Sequence, residues 1–563
     1  MAEGKKHKST INPVSGKVTS ETDSLGIVRG CKLLRAGRKN GDYLLSRTST
    51  MKSAPLLAAI LLLAPCTGGS AISSMQDKLY VFHYENVLGT SLEIKVAASS
   101  TAQSEKAEKA VLAEIDRESH ILSSWDPDSE FSCWFQTMGQ PVKVSPELFE
   151  VLSLFEKWRG LTRGALDASA ETITRVWKQA AAEKRIPSQA ELAAAVANVR
   201  RVHWRLDSVN RTATHTSDVP LALNSFVKSY IAGHAGEMAL RSSGARGVVV
   251  NIGGDLVVQG DWEETVDVSD PKSDVENGVP IARLVVRDRA VATSGDYRRG
   301  VEIGGHHYSH IIDPRTGVPA DQIISSTVIA RSPADAGALA TALSVLTPEE
   351  SSRLVASMPG VEYLLVKKNG ERIVSNGWSA FEAVPAPHSA VLRPAAAYKQ
   401  VASRSVSSQW DPKYELTVTI ELSLIEGYRV HRPYVAVWIE DEEHAPARTI
   451  ALWFGKYKYL SELRAWSREE SRRSVSEDTR VMNSVSSATR PPGKYTFKWD
   501  GRDDFGNLVK PGKYTVMIEA VREHGSYQLM HQEMEFNGSP RQFQLPGDVE
   551  IASATLDYHK IAQ

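Results

Sequence analysis

Cysteine is nearly absent. Three in 563 residues, Cys31, Cys66 and Cys133, are too few and too scattered for a disulfide framework or a zinc cluster. Charge of one sign is missing too: 66 Lys+Arg face 67 Asp+Glu, a net charge of -1, which argues against a chain that wraps nucleic acid. The apolar run Leu56 to Ala64 is about half of the roughly 20 residues that span a bilayer. Neither a Gly-x-Ser-x-Gly elbow nor a Walker-type phosphate loop stands out, so acyl-transfer triads and P-loop chemistry lack support.

What is present is an ordinary globular composition, 42% hydrophobic and 24% charged, in a chain too long for one core. Met51-Lys52, the run Leu56–Ala64 and the small residues Gly69-Ser70-Ala71 read as a secretory signal over 51–71. Residues 1–50 read as a disordered extension or a mis-called start. Tyr80 to Val96 reads as strand with a turn at Leu88-Gly89-Thr90, and Ala102 to Leu122 as a helix with Val111, Leu112, Ile115, Ile121 and Leu122 at helical spacing. Further helices are expected near Leu148 to Trp158 and over Pro220 to Leu240, followed by a Val248-Val249-Val250 strand and a hairpin at Asn369-Gly370. This is a mixed α+β domain over 78–382.

A Pro/Ala-rich stretch, 383–398, reads as a linker. Beyond it the period changes to two, with Leu416, Val418, Ile420, Leu422 and Leu424 sharing one strand face. Pro492-Gly493-Lys494-Tyr495-Thr496 recurs as Pro511-Gly512-Lys513-Tyr514-Thr515, each opening a strand, so residues 399–560 read as an all-β sandwich. The acids between Trp499 and Asn507 miss the EF-hand spacing and fit tight turns. The run Glu440-Asp441-Glu442-Glu443 reads as a solvated turn.

Three stretches could carry chemistry. Gly253-Gly254-Asp255 follows the valine strand, where missing Cβ atoms let backbone amides approach a ligand, or else simply make a β-turn. Thr293-Ser294-Gly295-Asp296-Tyr297 is a hydroxyl- and glycine-bearing loop after another strand. His310-Ile311-Ile312-Asp313-Pro314-Arg315-Thr316-Gly317 brings imidazole, carboxylate and guanidinium into one proline-stiffened turn.

In this order these pieces resemble the FAD:protein FMN transferases, the ApbE-like family, from roughly Tyr80 to Phe381. The resemblance implies an exported flavin enzyme of the bacterial periplasm or the outer face of the inner membrane. Such an enzyme splits FAD with Mg²⁺, attaches FMN to a threonine of an acceptor protein and releases AMP. It implies His310 and Asp313 as catalytic. Leu88, Trp125, Ala165, Leu166, Asp167, Lys228, Gly253, Gly254, Asp255, Thr293, Ser294, Gly295 and Ile312 would contact FAD, with Ser225, Thr341 and Asp335 at the metal. The C-terminal sandwich resembles a periplasmic domain of undefined role, with an immunoglobulin-like turn, and peripheral membrane association is a further expectation.

The chain departs from the family pattern at several points. The acid expected before the Lys228 helix is Ala222, and the glycines around it become Asn224, Ser225 and Ser229. An aspartate expected four residues before Thr341 is Gly337, and a further acid position is Ala340. Asp335 and Thr341 would point about 120° apart on a regular helix. A chain without transfer activity would be a FAD-holding protein or an FAD pyrophosphatase. Asn483 to Thr489 echoes the acceptor motif such enzymes modify, which raises self-flavinylation at Thr489 against the plain reading of a polar loop.

Overall fold

The computed structural model describes residues 77–295, 300–383, 410–425, 431–455, 457–473, 486–523 and 525–561. The signal segment 51–71, the extension 1–50, nearly all of the linker 383–398, and Asp296-Tyr297 lie outside the described residues.

The first domain is built on an eight-stranded sheet: β1 (Lys78–Val87), β2 (Thr90–Ala98), β3 (Gly247–Ile252), β4 (Asp255–Val268), β5 (Ala282–Gly295), β6 (Ile323–Ala330), β7 (Glu362–Lys367) and β8 (Arg372–Val374). Spatial order follows chain order and every neighbouring pair is antiparallel. Two tight hairpins set one end of the sheet. Leu88 (φ 49°) and Gly89 (φ 76°) join β1 to β2, and Gly253 (φ 63°) and Gly254 (φ 99°) join β3 to β4. Two successive positive φ values suit a two-residue loop because they match the strand twist. The tips touch: Gly253 donates its N–H to the Ser91 carbonyl at 3.0 Å, and a Cβ on Gly253 would meet Thr90 Oγ1 at 2.5 Å.

On one face of the sheet lies α1 (Thr101–Leu122), with α2 (Pro146–Leu161) packed against it; α3 (Glu171–Ala182) packs instead on Ile303 and Ile312, and α4 (Val227–Ser243) and α5 (Pro333–Val345) lie on the sheet. Serine side chains start three of them: Ser100, Ser145 and Ser332 accept from Gln103, Leu148 and Asp335 amides, which satisfies donors that a helix start leaves open. The alternation of β3 explains its valine run. Val248 and Val250 join the core under the helices, Val249 joins a second core on the opposite face, and all three are at most 1% exposed. A strand covered on both faces reads as continuous hydrophobic sequence.

Helix α4 starts at Val227 instead of Pro220. The Ala222 amide donates to the Ala168 carbonyl (2.8 Å) and the Leu223 amide to Ser124 Oγ (3.1 Å), so this stretch uses its donors across the fold.

The second domain is a sandwich, as the period-two pattern predicts. Its strands are β9 (Tyr414–Leu422), β10 (Tyr434–Glu440), β11 (Pro446–Trp453), β12 (Ser486–Ser487), β13 (Gly493–Trp499), β14 (Gly512–Val521), β15 (Tyr527–Phe536), β16 (Arg541–Pro546) and β17 (Ile551–Lys560). They form sheets ordered β13-β9-β17-β16 and β12-β11-β10-β14-β15. Leu416, Val418, Ile420 and Leu422 are buried on one face, whereas Leu424 is 76% exposed because β9 has already ended. The acids of the Trp499–Asn507 segment hold backbone: Asp503 Oδ1 accepts from the Phe505 (2.9 Å) and Asn507 (2.8 Å) amides, and Asp504 Oδ1 accepts from the Thr449 amide at 3.1 Å. Glu440 is buried, accepting from Trp438 Nε1, and so departs from a solvated run.

Candidate functional site

Antiparallel register places the predicted sheet residues at one end. Ile252 pairs with Asp255 and Leu256 with Val291, so Thr293, Ser294 and Gly295 extend past the Gly253-Gly254 turn beside the Leu88-Gly89 tip. Thr293 Oγ1 lies 3.0 Å from Thr327 Oγ1 across the β5–β6 pair. Gly254 donates to Asn251 Oδ1 at 3.0 Å, so the double glycine closes a hairpin, the plainer of its two sequence readings.

Asp255 begins β4 and faces the first turn of α4. Burial pushes its carboxyl up to about 6, against the pull of the Lys228 ammonium and the Ser229 hydroxyl. Ser229 is buried beside Asp255. Opposite it lies Gly337 on α5, where a Cβ would overlap Ser229 Oγ and fall 3.0 Å from Ser229 Cβ and 3.2 Å from Phe226 Cα. The glycine in place of the expected aspartate therefore lets two helices approach closely. Gly337→Ala should destabilise the first domain by about 1–3 kcal/mol through overpacking, seen as a lower thermal midpoint, and Ser229→Gly should restore most of the loss.

Thr341, one turn further along α5, donates its hydroxyl to the Ser225 carbonyl at 2.9 Å. These two predicted metal donors are brought together. Asp335 is not with them, since its carboxylate pairs with Lys157 of α2 at 3.2 Å. Ala340 is buried in the core.

A second group of loops meets the first through residues 222–225. Ser124, beside Trp125, and Ala168, beside Asp167, accept the two amides described above. Trp125 is 77% exposed, a free aromatic face at the rim. Ala165 and Leu166 have buried side chains, so only their backbone can meet a ligand. Asp167 accepts from the Ser169 amide (2.8 Å) and from Arg159 Nε (2.8 Å), which fixes it in place. Sequence gave no sign of the Arg159 contact, because it joins a helix end to a returning loop.

The His310–Gly317 segment adjoins this group. Arg315 grips Asp313 with both arms (2.9 Å each) and reaches Glu350 at 3.0 Å. Trp177 Nε1 donates to the Gly317 carbonyl at 2.9 Å, and Ile312 is buried beside Trp177. Asp313 is thus held as a turn anchor, while His310 is exposed at the start of the turn. Between Asp167 and Arg315 opens a cavity of about 580 Å³ lined by Arg159, Arg163, Asp167, Arg200, Pro314 and Arg315. That volume suits a small organic ligand, and the guanidinium excess suits an anionic one.

The chain is similar to known proteins in both of its domains. The model of the ApbE family matches residues 88–365, and the model described as predicted periplasmic protein (DUF2271) matches residues 415–553. A FAD:protein FMN transferase of Klebsiella pneumoniae (strain 342) is 27% identical over 57% of this chain and 93% of its own length. One of Vibrio cholerae is 29% identical over 58% of this chain and 96% of its own. A crystal structure of the ApbE protein from Thermotoga maritima is 27% identical, covers 55% of this chain and 100% of its own, and has a TM-score of 0.49. Residues 88–365 thus match the ApbE family model, and the relatives that align with this chain are FAD:protein FMN transferases.

Proposed function

We propose that the protein is an FAD:protein FMN transferase acting on an exported acceptor. The observation that carries this reading is that residues 222–223 tie together the loops bearing Trp125 and Asp167, and that Asp167 and Arg315 line one arginine-rich cavity. The reaction is a phosphoryl transfer. A threonine hydroxyl of the acceptor attacks the FMN-side phosphorus of FAD, a new O–P bond forms, the bridging P–O bond breaks, and AMP leaves with the electron pair. His310 takes the hydroxyl proton. Charge accumulates on the non-bridging oxygens, where fixed cations lower the barrier by placement alone. Lys228 at the start of α4 and the cavity arginines supply that charge, and Trp125 offers a ring face to the flavin or adenine.

Magnesium fits the residues present with one change of donor. The Thr341 hydroxyl and the Ser225 carbonyl are 2.9 Å apart, Gly337 has no room for a side chain, Asp335 is engaged by Lys157, and Asp255, facing Lys228 and Ser229 in the next turn after Ser225, would supply the carboxylate. A hard cation needs such oxygens, and when bound it would neutralise charge on the diphosphate. Thr341→Ala should raise the Mg²⁺ concentration needed for half-maximal activity.

The second domain's family is described as predicted periplasmic, which fits export and an acceptor at the outer face of the inner membrane. No described helix is long and apolar enough to cross a membrane. Thr489 is 2% exposed, with its hydroxyl sealed inside the protein, so the acceptor threonine is assigned to a separate chain. Incubation with FAD, Mg²⁺ and a threonine-bearing acceptor, read by mass spectrometry, should give an FMN adduct on the acceptor and AMP in solution. Unchanged FAD, or free FMN without adduct, overturns the proposal.

A further inference from the structure

Away from the site described above, α1 and α4 cross with three potential ligands between them. Glu114 and Glu118 are one turn apart on α1, so both carboxylates lie on one face. His234 comes from α4, its Nδ1 2.6 Å from Glu118 Oε1. One ligand atom from each of the three lies within 4.8 Å of the others. We infer that Glu114, Glu118 and His234 form a site for a divalent transition-metal ion of the zinc class, clamping α1 to α4.

The independent mark of a missing partner is Glu118. Its side chain is fully buried, and Oε2 has no hydrogen-bond partner. A buried carboxylate oxygen left unpaired costs free energy that a cation would recover. His234 Nδ1 and Glu118 Oε1 already share a proton, and burial and Glu114 raise the Glu118 carboxyl while Glu118 raises His234. A metal ion replaces that proton, leaving neutral imidazole and two carboxylates on a dication, which sums to zero charge. Donors of a tetrahedral ion with ligand distances near 2.0–2.2 Å lie about 3.3–3.6 Å apart, so closure from within 4.8 Å needs side-chain movement of about 1 Å. One nitrogen with two carboxylates favours zinc, cobalt or manganese over magnesium, which prefers oxygen alone. His234 is 34% and Glu114 11% exposed, which leaves an entry path.

Arg117 is the resident competitor. It holds both oxygens of Glu114 and reaches Glu118 at 3.2 Å, yet is 44% exposed and also anchored to Glu147 at 2.7 Å. It can keep Glu147 while yielding the others.

The test uses the metal-stripped full chain titrated with Zn²⁺, with Co²⁺ as a spectroscopic probe. The wild type should bind Zn²⁺, gain thermal stability and develop visible Co²⁺ bands. His234→Gln should lose more than the roughly 10–100-fold in affinity that removal of an outer partner costs. Arg117→Gln, a change at an exposed position, should instead tighten Zn²⁺ binding. Absence of Co²⁺ bands and of a Zn²⁺-induced thermal shift in the wild type overturns the inference. So does a folded His234→Gln chain that binds as the wild type does, or an Arg117→Gln chain that binds no better. A merely structural ion-pair cluster gives these last outcomes.

Discussion

His310→Ala should lower the rate of FMN transfer roughly 10²–10⁴-fold, the usual contribution of a positioned acid–base group, while FAD remains bound. The expectation rests on how the chain around His310 is held. The Ile311 amide donates to Ser309 Oγ at 3.0 Å, the Ala320 amide to the Ile311 carbonyl at 2.8 Å and the Asp313 amide to the Val318 carbonyl at 2.9 Å. The exposed imidazole therefore stands on a backbone held by three hydrogen bonds. Asp313 is doubly bonded to Arg315, so Asp313→Asn should act through that backbone, with a smaller loss in kcat and a drop in thermal midpoint. Equal turnover of wild type and His310→Ala in a single-turnover assay removes His310 from the mechanism.

Asp255→Asn should separate stability from activity. The folded protein holds this carboxyl at about 6, above its ordinary value of 3.8. A raised carboxyl pKa means that the folded state binds the proton more tightly than the unfolded one. The associated stability is fully present below about pH 3.8 and is lost as pH rises through about 6. Asparagine removes that loss. At pH 8 the variant should exceed the wild type in stability by on the order of 1–3 kcal/mol, and the difference should vanish by about pH 4. The same variant should lose most Mg²⁺-dependent transfer, since it lacks the carboxylate that faces the first turn of α4. Chemical denaturation at both pH values checks the first part. A variant that is less stable than wild type at pH 8 shows that the Lys228 attraction outweighs burial.

Which helices and strands form was readable where burial follows one period. The α1 stripe and the β9 alternation are examples, because side chains of a helix or strand meet the core at intervals fixed by backbone geometry. Where a donor is spent across the fold the reading failed, as at Pro220–Phe226, whose amides serve Ala168 and Ser124. The end of β9 before Leu424 likewise had no local marker.

Local period and motif order carried the α+β and β-sandwich fold classes and the resemblance to the FAD:protein FMN transferases, since each is written within short stretches of chain. Only packing brings the Thr341 hydroxyl to the Ser225 carbonyl, gives Asp335 to Lys157, buries Thr489 and sets Glu114 and Glu118 beside His234. Those facts depend on contacts between residues far apart in the chain, whose distance and solvent access are set by how helices pack on the sheet, and no periodicity encodes them.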